Sequence, residues 1–360
     1  MGSHVLVALS GGVDSAVAAQ LLIQANYHVS GVTLRLWSDG PGTERTAQRA
    51  HQVALQLGIP FTILDAERRF RDRVVDYFLS EYAAGRTPNP CVVCNQELKF
   101  RLLFEFAAAS QIPFVATGHY ARINHSQAGY ELMRGLDRQK DQSYFLHRLR
   151  QDQLSQLLFP VGEHTKQEIR SLAQACNLPA AGQAESQDIC FIPEGDYRQF
   201  LVRFSPNLCQ PGPIYDSSGN LLGQHQGCAA YTIGQRKGLG ISAAEPLYVL
   251  TIEPAANRLI VGPARELGQD ECHVQNMHYI SSMATTQPFS ALAQIRYRAE
   301  PTQVTVTPYD SKTVHVQFSE KQRDITPGQF LVLYHDQTVI GGGAICNVSE
   351  PCYNDSVDTR

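Results

Sequence analysis

The chain has 360 residues, a formal net charge of −4, 43% hydrophobic residues and 18% charged residues. That length exceeds what one hydrophobic core usually serves and predicts a globular protein of two or three domains. No apolar run reaches bilayer length, so no membrane association is expected; the mild negative charge excludes a chain-wide nucleic-acid surface, and nine cysteines over this length do not fit a secreted disulfide scaffold. The start, Met1 to His4, lacks the basic and apolar segments of a signal peptide. The expected location is the cytoplasm, and those first residues read as native or as a cloning remnant.

Val5–Leu9 is a short apolar run rich in β-branched residues and predicts a buried strand. Ser10, Gly11 and Gly12 break it, and Asp14 or Ser15 is placed to cap a helix running through Val17, Ala18, Leu21 and Leu22. Strand, glycine turn and helix N-terminus together make an anion site, because backbone N–H groups and the helix dipole converge on the turn. The loop is neither a Walker loop, which needs a lysine, nor a G-x-G-x-x-G fingerprint. Residues 28–36 and Ile59–Leu64 predict further strands; residues 44–57, closed by Gly58, and Asp65–Ala84 predict helices. This alternation predicts an α/β doubly wound parallel sheet with its ligand at the strand C-termini. Leu34, late in the second strand, reads equally as an adenine contact or as ordinary core.

Arg86-Thr-Pro-Asn-Pro-Cys-Val-Val-Cys-Asn95 reads as an irregular, proline-rich loop, with a helix opening at Asn95. Cys94 then falls just before a helix N-terminus, with Lys99 and Arg101 nearby in sequence, where a thiolate is favoured. A Cys-x-x-Cys in such a loop is a stronger signal of chemistry than a lone cysteine. Pro113–Thr117 predicts another strand ending in Gly118-His119-Tyr120, which suits a site or a histidine satisfied by backbone. Residues 122–133 predict a small hairpin. Residues 134–150 interleave Arg134, Arg138, Lys140, Arg148 and Arg150 with Tyr144 and Phe145, a pattern that suits RNA phosphates and bases or a solvated linker.

Residues 151–158, 165–176 and 196–204 predict helices, the second opened by a Thr165/Glu168 capping box. Between the last two lies Glu185-Ser-Gln-Asp-Ile-Cys-Phe-Ile192, where Cys190 reads by itself as a small core residue of a short strand. From Pro211 onward helical patterns nearly vanish. Turn signals at 216–220, 254–257, 309–312 and 334–337 predict hairpins of two small all-β domains, the last a β-barrel. The expected division is 1–205 for the α/β domain with a helical part from about 150, 206–278 for the central β domain and 279–360 for the barrel. Cys176, Cys209, Cys228, Cys272, Cys346 and Cys352 read as packing residues.

The motifs taken together carry more than each alone. Ser10-Gly-Gly-Val-Asp-Ser15 resembles the pyrophosphate loop of the ATP pyrophosphatases. It is followed, in order, by Asn89-Pro-Cys-x-x-Cys-Asn95, Gly118-His-Tyr-Ala-Arg122, Lys140-Asp-Gln-Ser-Tyr-Phe-Leu146, Ser186-Gln-Asp-Ile-Cys-Phe191, Tyr231-Thr-Ile-Gly-Gln-Arg-Lys-Gly238, Arg296-Tyr-Arg298 and Thr326-Pro-Gly-Gln329. Over essentially the whole chain this resembles the bacterial tRNA-specific 2-thiouridylase family, whose members install sulfur at C2 of the wobble uridine, position 34. The resemblance implies ATP as substrate, with Mg²⁺ accompanying its phosphates and Asp14 as a helper for the ion. The uracil C2 oxygen is adenylated, pyrophosphate leaves, and sulfur follows. It implies ATP contacts at Ala8, Leu9, Ser10, Gly11, Gly12, Val13, Asp14, Ser15, Leu34 and Gly118. It implies tRNA contacts at Asn89, Pro90, Cys91, Lys140, Asp141, Gln142, Arg296, Tyr297 and Gln329, with His119 near the target base. Cys190 matches the persulfide carrier and Cys94 its partner nucleophile, closing a transient disulfide; the sulfur donor is a cysteine desulfurase or a sulfur-relay protein. Some family members carry Asp where this chain has Cys91. The alternative route therefore has Cys91, Cys94 and Cys190 hold a [4Fe-4S] cluster with one open iron.

Overall fold

The computed structural model describes residues 2–37, 42–127, 129–179, 189–192, 196–281 and 286–346, with residues 42–44 described by their backbone alone. The first part holds a five-stranded parallel sheet in the order Phe61–Asp65, His28–Arg35, His4–Ala8, Phe114–Ala116, Leu157–Leu158. Val5, Leu6 and Val7 are wholly buried, as expected of a central strand covered on both faces. The chain grows outward from His4–Ala8 in one direction through two strands, then returns to pair Phe114–Ala116 on its other side. In an open α/β sheet such a reversal leaves a crevice at the strand C-termini. Here that crevice lies between the segments following Ala8 and Ala116.

Several local expectations change. The helix begins at Val13 with Gly12 in the cap position and no side chain capping it, so neither Asp14 nor Ser15 serves as the cap. Ser15 instead donates its hydroxyl back to the Gly12 carbonyl at 3.1 Å. Residues 86–95 are not wholly irregular. Asn89 accepts from the Val92 N–H at 3.4 Å, and Pro90 sits at the first helical position, where its missing N–H costs nothing. The helix runs Pro90–Val93, widens through an i→i+5 turn at Cys94–Lys99 and continues as Phe100–Ala109. The expected helix over 65–84 widens in the same way at Arg71–Val75. Residues 151–158 form one helical turn, Gln151–Leu154, and then the edge strand Leu157–Leu158. The capping box is present: Thr165 Oγ1 accepts from the Glu168 N–H at 3.3 Å, and the Glu168 carboxylate accepts from the Thr165 N–H at 2.7 Å.

The second part is a four-stranded sheet, ordered Leu247–Glu253, Arg258–Pro263, Gly212–Asp216, Leu221–His225. The third is a closed six-stranded barrel of Gln269–Tyr279, Phe289–Gln294, Thr302–Pro308, Val314–Gln322, Phe330–His335 and Thr338–Cys346. Its first strand pairs with both Val314–Gln322 and Thr338–Cys346, which removes the free edges. All four hairpin signals mark real turns. At two of them aspartate carboxylates accept from the turn N–H groups: Asp216 from Ser218 and Asn220, and Asp310 from Lys312 and Thr313. Asn257 and Asp336 take left-handed φ values of 47° and 52° at the other two.

The first and third parts share a core. Leu6, Phe100, Leu103 and Tyr144 pack in one cluster with Phe330, Val332, Tyr334 and Val339 of the barrel. The hairpin of Ala121–Ser126 and Gly129–Arg134 abuts the barrel, with Met133 opposite Thr338. A polar network lies inside this junction. Asp141 accepts from the Gly135 N–H, the Ser143 N–H and the Ser143 hydroxyl, each at 3.0 Å. Arg134 lies 3.7 Å from the same carboxylate and 3.7 Å over the Tyr334 ring. Asp141→Ala therefore strands a buried guanidinium and three donors. A loss of about 3 kcal/mol of stability is expected, read as a lowered thermal midpoint by circular dichroism; an unchanged midpoint would show that the network is not a brace.

Candidate active site

Ser10–Ser15 lies at the crevice the sheet creates. Gly11 has φ of 72°, and a side chain there would meet Arg49 Cβ at 2.8 Å and the Thr46 carbonyl at 2.9 Å. Ser10 and Ser15 brace the turn internally: the Ser10 N–H donates to Ser15 Oγ at 3.1 Å and the Gly12 N–H to Ser10 Oγ at 3.4 Å. With no side-chain cap, the first-turn N–H groups of Val13–Gln24 face the turn, the arrangement a phosphate needs. Ala8 and Leu34 sit half-buried at the ends of neighbouring strands, and Leu9 donates its N–H to the Val32 carbonyl at 2.8 Å.

Gly118 closes the other side. A Cβ on it would stand 2.7 Å from the Ser15 nitrogen and 2.8 Å from the Asp14 carbonyl carbon, so only glycine permits this approach. Next in the chain, His119 bonds Thr117 Oγ1 through Nδ1 at 2.7 Å and lies near Phe100 and Phe159. Burial, with the Lys99 ammonium adding to it, holds His119 well below the usual histidine range, so its ring is neutral.

Lys99 also acts on the thiols. It lies one wide turn beyond Cys94 on the same helix, and its charge favours the thiolates of Cys91, Cys94 and Cys190. Burial works against it and dominates. The Cys94 thiol is pushed up to about 11 and that of Cys190 to about 12; Cys91 is also raised. Cys94 thus lies inside a helix, not ahead of one, and its environment disfavours the thiolate that a helix start would favour. Cys91 and Cys190 reach solvent, yet the protein crowded round them still penalises charge. Cys190 is not part of a strand among the described residues and is not a core residue; its neighbour Phe191 is. That ring packs at 5.2–6.3 Å from Phe200, Phe70, Phe78 and Trp37, in the cluster that also holds Cys94 and Leu98. Residues 185–188 of this motif lie outside the described residues.

Some of the residues expected to meet tRNA lie round the loop before Asn89. The Thr87 N–H donates to the Pro327 carbonyl at 2.9 Å, and Gln329 Nε2 donates to the Thr87 and Pro88 carbonyls at 2.9 and 3.2 Å. Arg296 donates to Thr326, and Tyr297 packs 4.4 Å from the Phe145 ring. Pro90 is buried beneath its helix turn, and Lys140 is half-buried. Asp141 differs from the expectation: its carboxylate is turned into protein, where it braces the loop. Gln142 is likewise engaged, its Oε1 accepting from the Tyr120 N–H at 3.0 Å.

No helix among the described residues is long and apolar enough to cross a membrane. Nor, among those residues, is any group of three or more His, Cys, Asp or Glu side chains placed to hold a metal ion. Cys91, Cys94 and Cys190 are near enough to act on one another electrostatically, and both Asp14 oxygens are engaged by Lys166 Nζ, at 2.6 and 2.9 Å, in the position expected to help Mg²⁺. Lys166, Tyr120, Lys99 and Phe191 were not among the expected site residues. The first two reach Asp14 only through the fold; Lys99 carries a sequence signal, a cation five residues past a candidate nucleophile.

The comparisons with known proteins agree on the family. The family described as "tRNA methyl transferase HUP domain" matches residues 3–194, "tRNA methyl transferase PRC-barrel domain" matches 198–263 and "Aminomethyltransferase beta-barrel domain" matches 269–345. The tRNA-specific 2-thiouridylase of Roseiflexus castenholzii is 45% identical over 95% of this chain and 99% of its own length. The chain belongs to the tRNA-specific 2-thiouridylase family. Relatives of the same name from Chloroflexus aurantiacus and Clostridium perfringens are 46% and 41% identical, each over 95% of this chain and 98% of their own length. Among solved structures, NMN synthetase from Francisella tularensis is a distant likeness, with a TM-score of 0.34 and 15% identity over 55% of this chain and 71% of that chain.

The raised thiols of this thiouridylase-family chain have a readable consequence. Alkylation of Cys94 and Cys190 by iodoacetamide is expected to be slower than that of free cysteine at pH 8. It should climb about tenfold per pH unit from pH 8 to about pH 10, by mass spectrometric counting; a plateau below pH 8 contradicts the burial argument. Phe191→Ala should leave both thiols present but release Cys190 from its anchor, lowering the yield of Cys94–Cys190 crosslink under mild oxidation several-fold.

Proposed function

We propose that this chain is an ATP-dependent tRNA sulfurtransferase that thiolates C2 of the wobble uridine, position 34. The observation that carries the reading is the Gly118–His119 step. Gly118 lies against the loop suited to phosphate, while His119 shares the field of Lys99 with the cysteines. Nucleotide chemistry and sulfur chemistry thus have a common border. ATP is the substrate that fits the glycine loop, and tRNA is the partner, as the names of the relatives state for those proteins.

The uracil C2 oxygen is a poor leaving group. Attack of that oxygen on the α-phosphate transfers AMP to it and releases pyrophosphate at Ser10–Ser15, where N–H donors offset the departing charge. The target base leaves its stack to arrive here, with neutral His119 beside it as a hydrogen-bonding partner. Cys190 carries the sulfur as a persulfide supplied by a cysteine desulfurase or a relay protein. Its terminal sulfur attacks C2 and AMP departs with the oxygen. Cys94 then attacks Cys190 Sγ; the bond from Cys190 to the transferred sulfur breaks, a Cys94–Cys190 disulfide forms, and a dithiol reductant reopens it. The high thiol values of both cysteines hold with the pull of Lys99 already counted, so substrate docking must favour the thiolate at that step. Asn89, Pro90, Cys91, Lys140, Gln142, Arg296, Tyr297 and Gln329 border the face proposed for the anticodon arm, and Asp141 supports it from within. We place the second division at about 265 on this reading, since strand Gln269–Tyr279 belongs wholly to the barrel.

Pyrophosphate release and 2-thiouridine formation, measured together, test the proposal. Wild type should release pyrophosphate only with tRNA present and form 2-thiouridine when a desulfurase and cysteine are added. Cys94→Ser and Cys190→Ser should each abolish 2-thiouridine, by more than about 100-fold, yet keep tRNA-dependent pyrophosphate release. Pyrophosphate release without tRNA, or thiolation that survives Cys190→Ser, sinks the mechanism.

A further inference from the structure

The glycine loop carries no lysine, yet an ammonium reaches it from far along the chain. Lys166 Nζ donates to both Asp14 oxygens, at 2.6 and 2.9 Å, and its side chain is only 11% exposed. The Tyr120 hydroxyl donates to Asp14 Oδ1 at 2.7 Å, and Lys166 Nζ lies 5.7 Å from the Tyr120 ring centre. Both partners are themselves fixed. Tyr120 is buried and follows Gly118 and His119; its N–H donates to Gln142 Oε1 at 3.0 Å, and its carbonyl accepts from the Gln142 N–H at 2.8 Å. Lys166 begins the helix Lys166–Ala175 behind the Thr165/Glu168 capping box, and its N–H donates to Asp137 Oδ2 at 2.9 Å.

The charge arrangement calls for an explanation. Asp14 stands in the first turn of Val13–Gln24, the end that would receive phosphate. A carboxylate there suits the helix dipole but repels the polyphosphate for which the same N–H groups are suited. Lys166 cancels that repulsion without occupying the turn itself. We propose that Lys166 and Tyr120 are positioning residues of the nucleotide site: Lys166 supplies the counter-charge that lets Asp14 stand beside ATP phosphates, and Tyr120 fixes the direction of that carboxylate. The inference rests on reading Ser10–Ser15 as the phosphate site. It assigns to this loop a cation that a Walker loop carries within its own sequence.

The test is ATP and adenosine binding to the full chain by equilibrium dialysis, without tRNA and with EDTA present. Lys166→Met should weaken ATP binding about tenfold or more and leave adenosine binding unchanged. Adding Asp14→Asn to Lys166→Met should bring ATP affinity back to within about threefold of wild type, because the uncompensated charge is gone. Lys166→Arg, which keeps the charge, should stay near wild type, and Tyr120→Phe should weaken ATP, not adenosine, several-fold. The inference is overturned if Lys166→Met binds ATP normally, if it loses ATP and adenosine equally, or if the double variant binds ATP no better than the single one. Should Lys166→Met fail to fold, Tyr120→Phe alone is decisive: ATP binding weakened several-fold with adenosine binding unchanged supports the inference, and unchanged ATP binding or an equal loss of both overturns it. A wild-type chain that binds neither ATP nor adenosine defeats the reading of the loop itself; one that binds both, with no effect of the variants, defeats only the inference.

Discussion

The absence of a side chain at Gly118 sets the spacing on which the candidate site depends. Because nothing projects from it, the exit of strand Phe114–Ala116 lies on the backbone of Asp14 and Ser15. Any other residue would push the strand exit and the helix start apart, since the atoms in the way are backbone and cannot rotate aside. That contact fixes His119 beside the loop. His119 in turn meets Phe100, the first residue after the widened turn that carries Cys94 and Lys99. The crevice at the sheet's reversal point is thus given one definite width by one glycine, and the catalytic-domain elements on either side take their positions from it.

The legible parts of the chain were those whose cause is local. Ser10–Ser15 could be read because strand, glycines and helix follow one another within a dozen residues. The hairpins could be read because aspartate and asparagine at their tips bond the turn or accept a left-handed backbone. The helix at Pro90 had an equally local cause, an asparagine cap followed by proline, but the same two prolines also read as breakers. Leu157–Leu158 was hidden for a different reason: two residues have no period, and they form a strand only because Phe114–Ala116 offers an open edge. Asp14 with Lys166, and Phe191 among its aromatic neighbours, are long-range contacts that leave no trace in spacing.

The thiol environment shows how burial and charge are set against each other. Lys99 pulls all three cysteines toward the thiolate, and the protein around them pulls harder the other way. Cysteines in this state are poor nucleophiles toward casual electrophiles and oxidants. Reactivity at rest is therefore low, although the helix carrying Cys94 and the segment carrying Cys190 are held in one aromatic cluster.

The sharing of one core between the first and third parts bears on how the chain can be dissected. Val92, Tyr144 and Leu146 lie in the same apolar cluster as Phe330, Val332 and Tyr334, and the Tyr144 hydroxyl donates to the Phe330 carbonyl at 2.8 Å. Residues 85–88 are held by the barrel at Pro327 and Gln329 and by segments joining the central strands at Thr232 and Pro254. A fragment ending near residue 205 would keep every strand of the parallel sheet and still bare this apolar face to water. The piece that looks like a self-sufficient nucleotide-binding domain in the order of its elements is, in its packing, half of a larger body whose other half is translated after it.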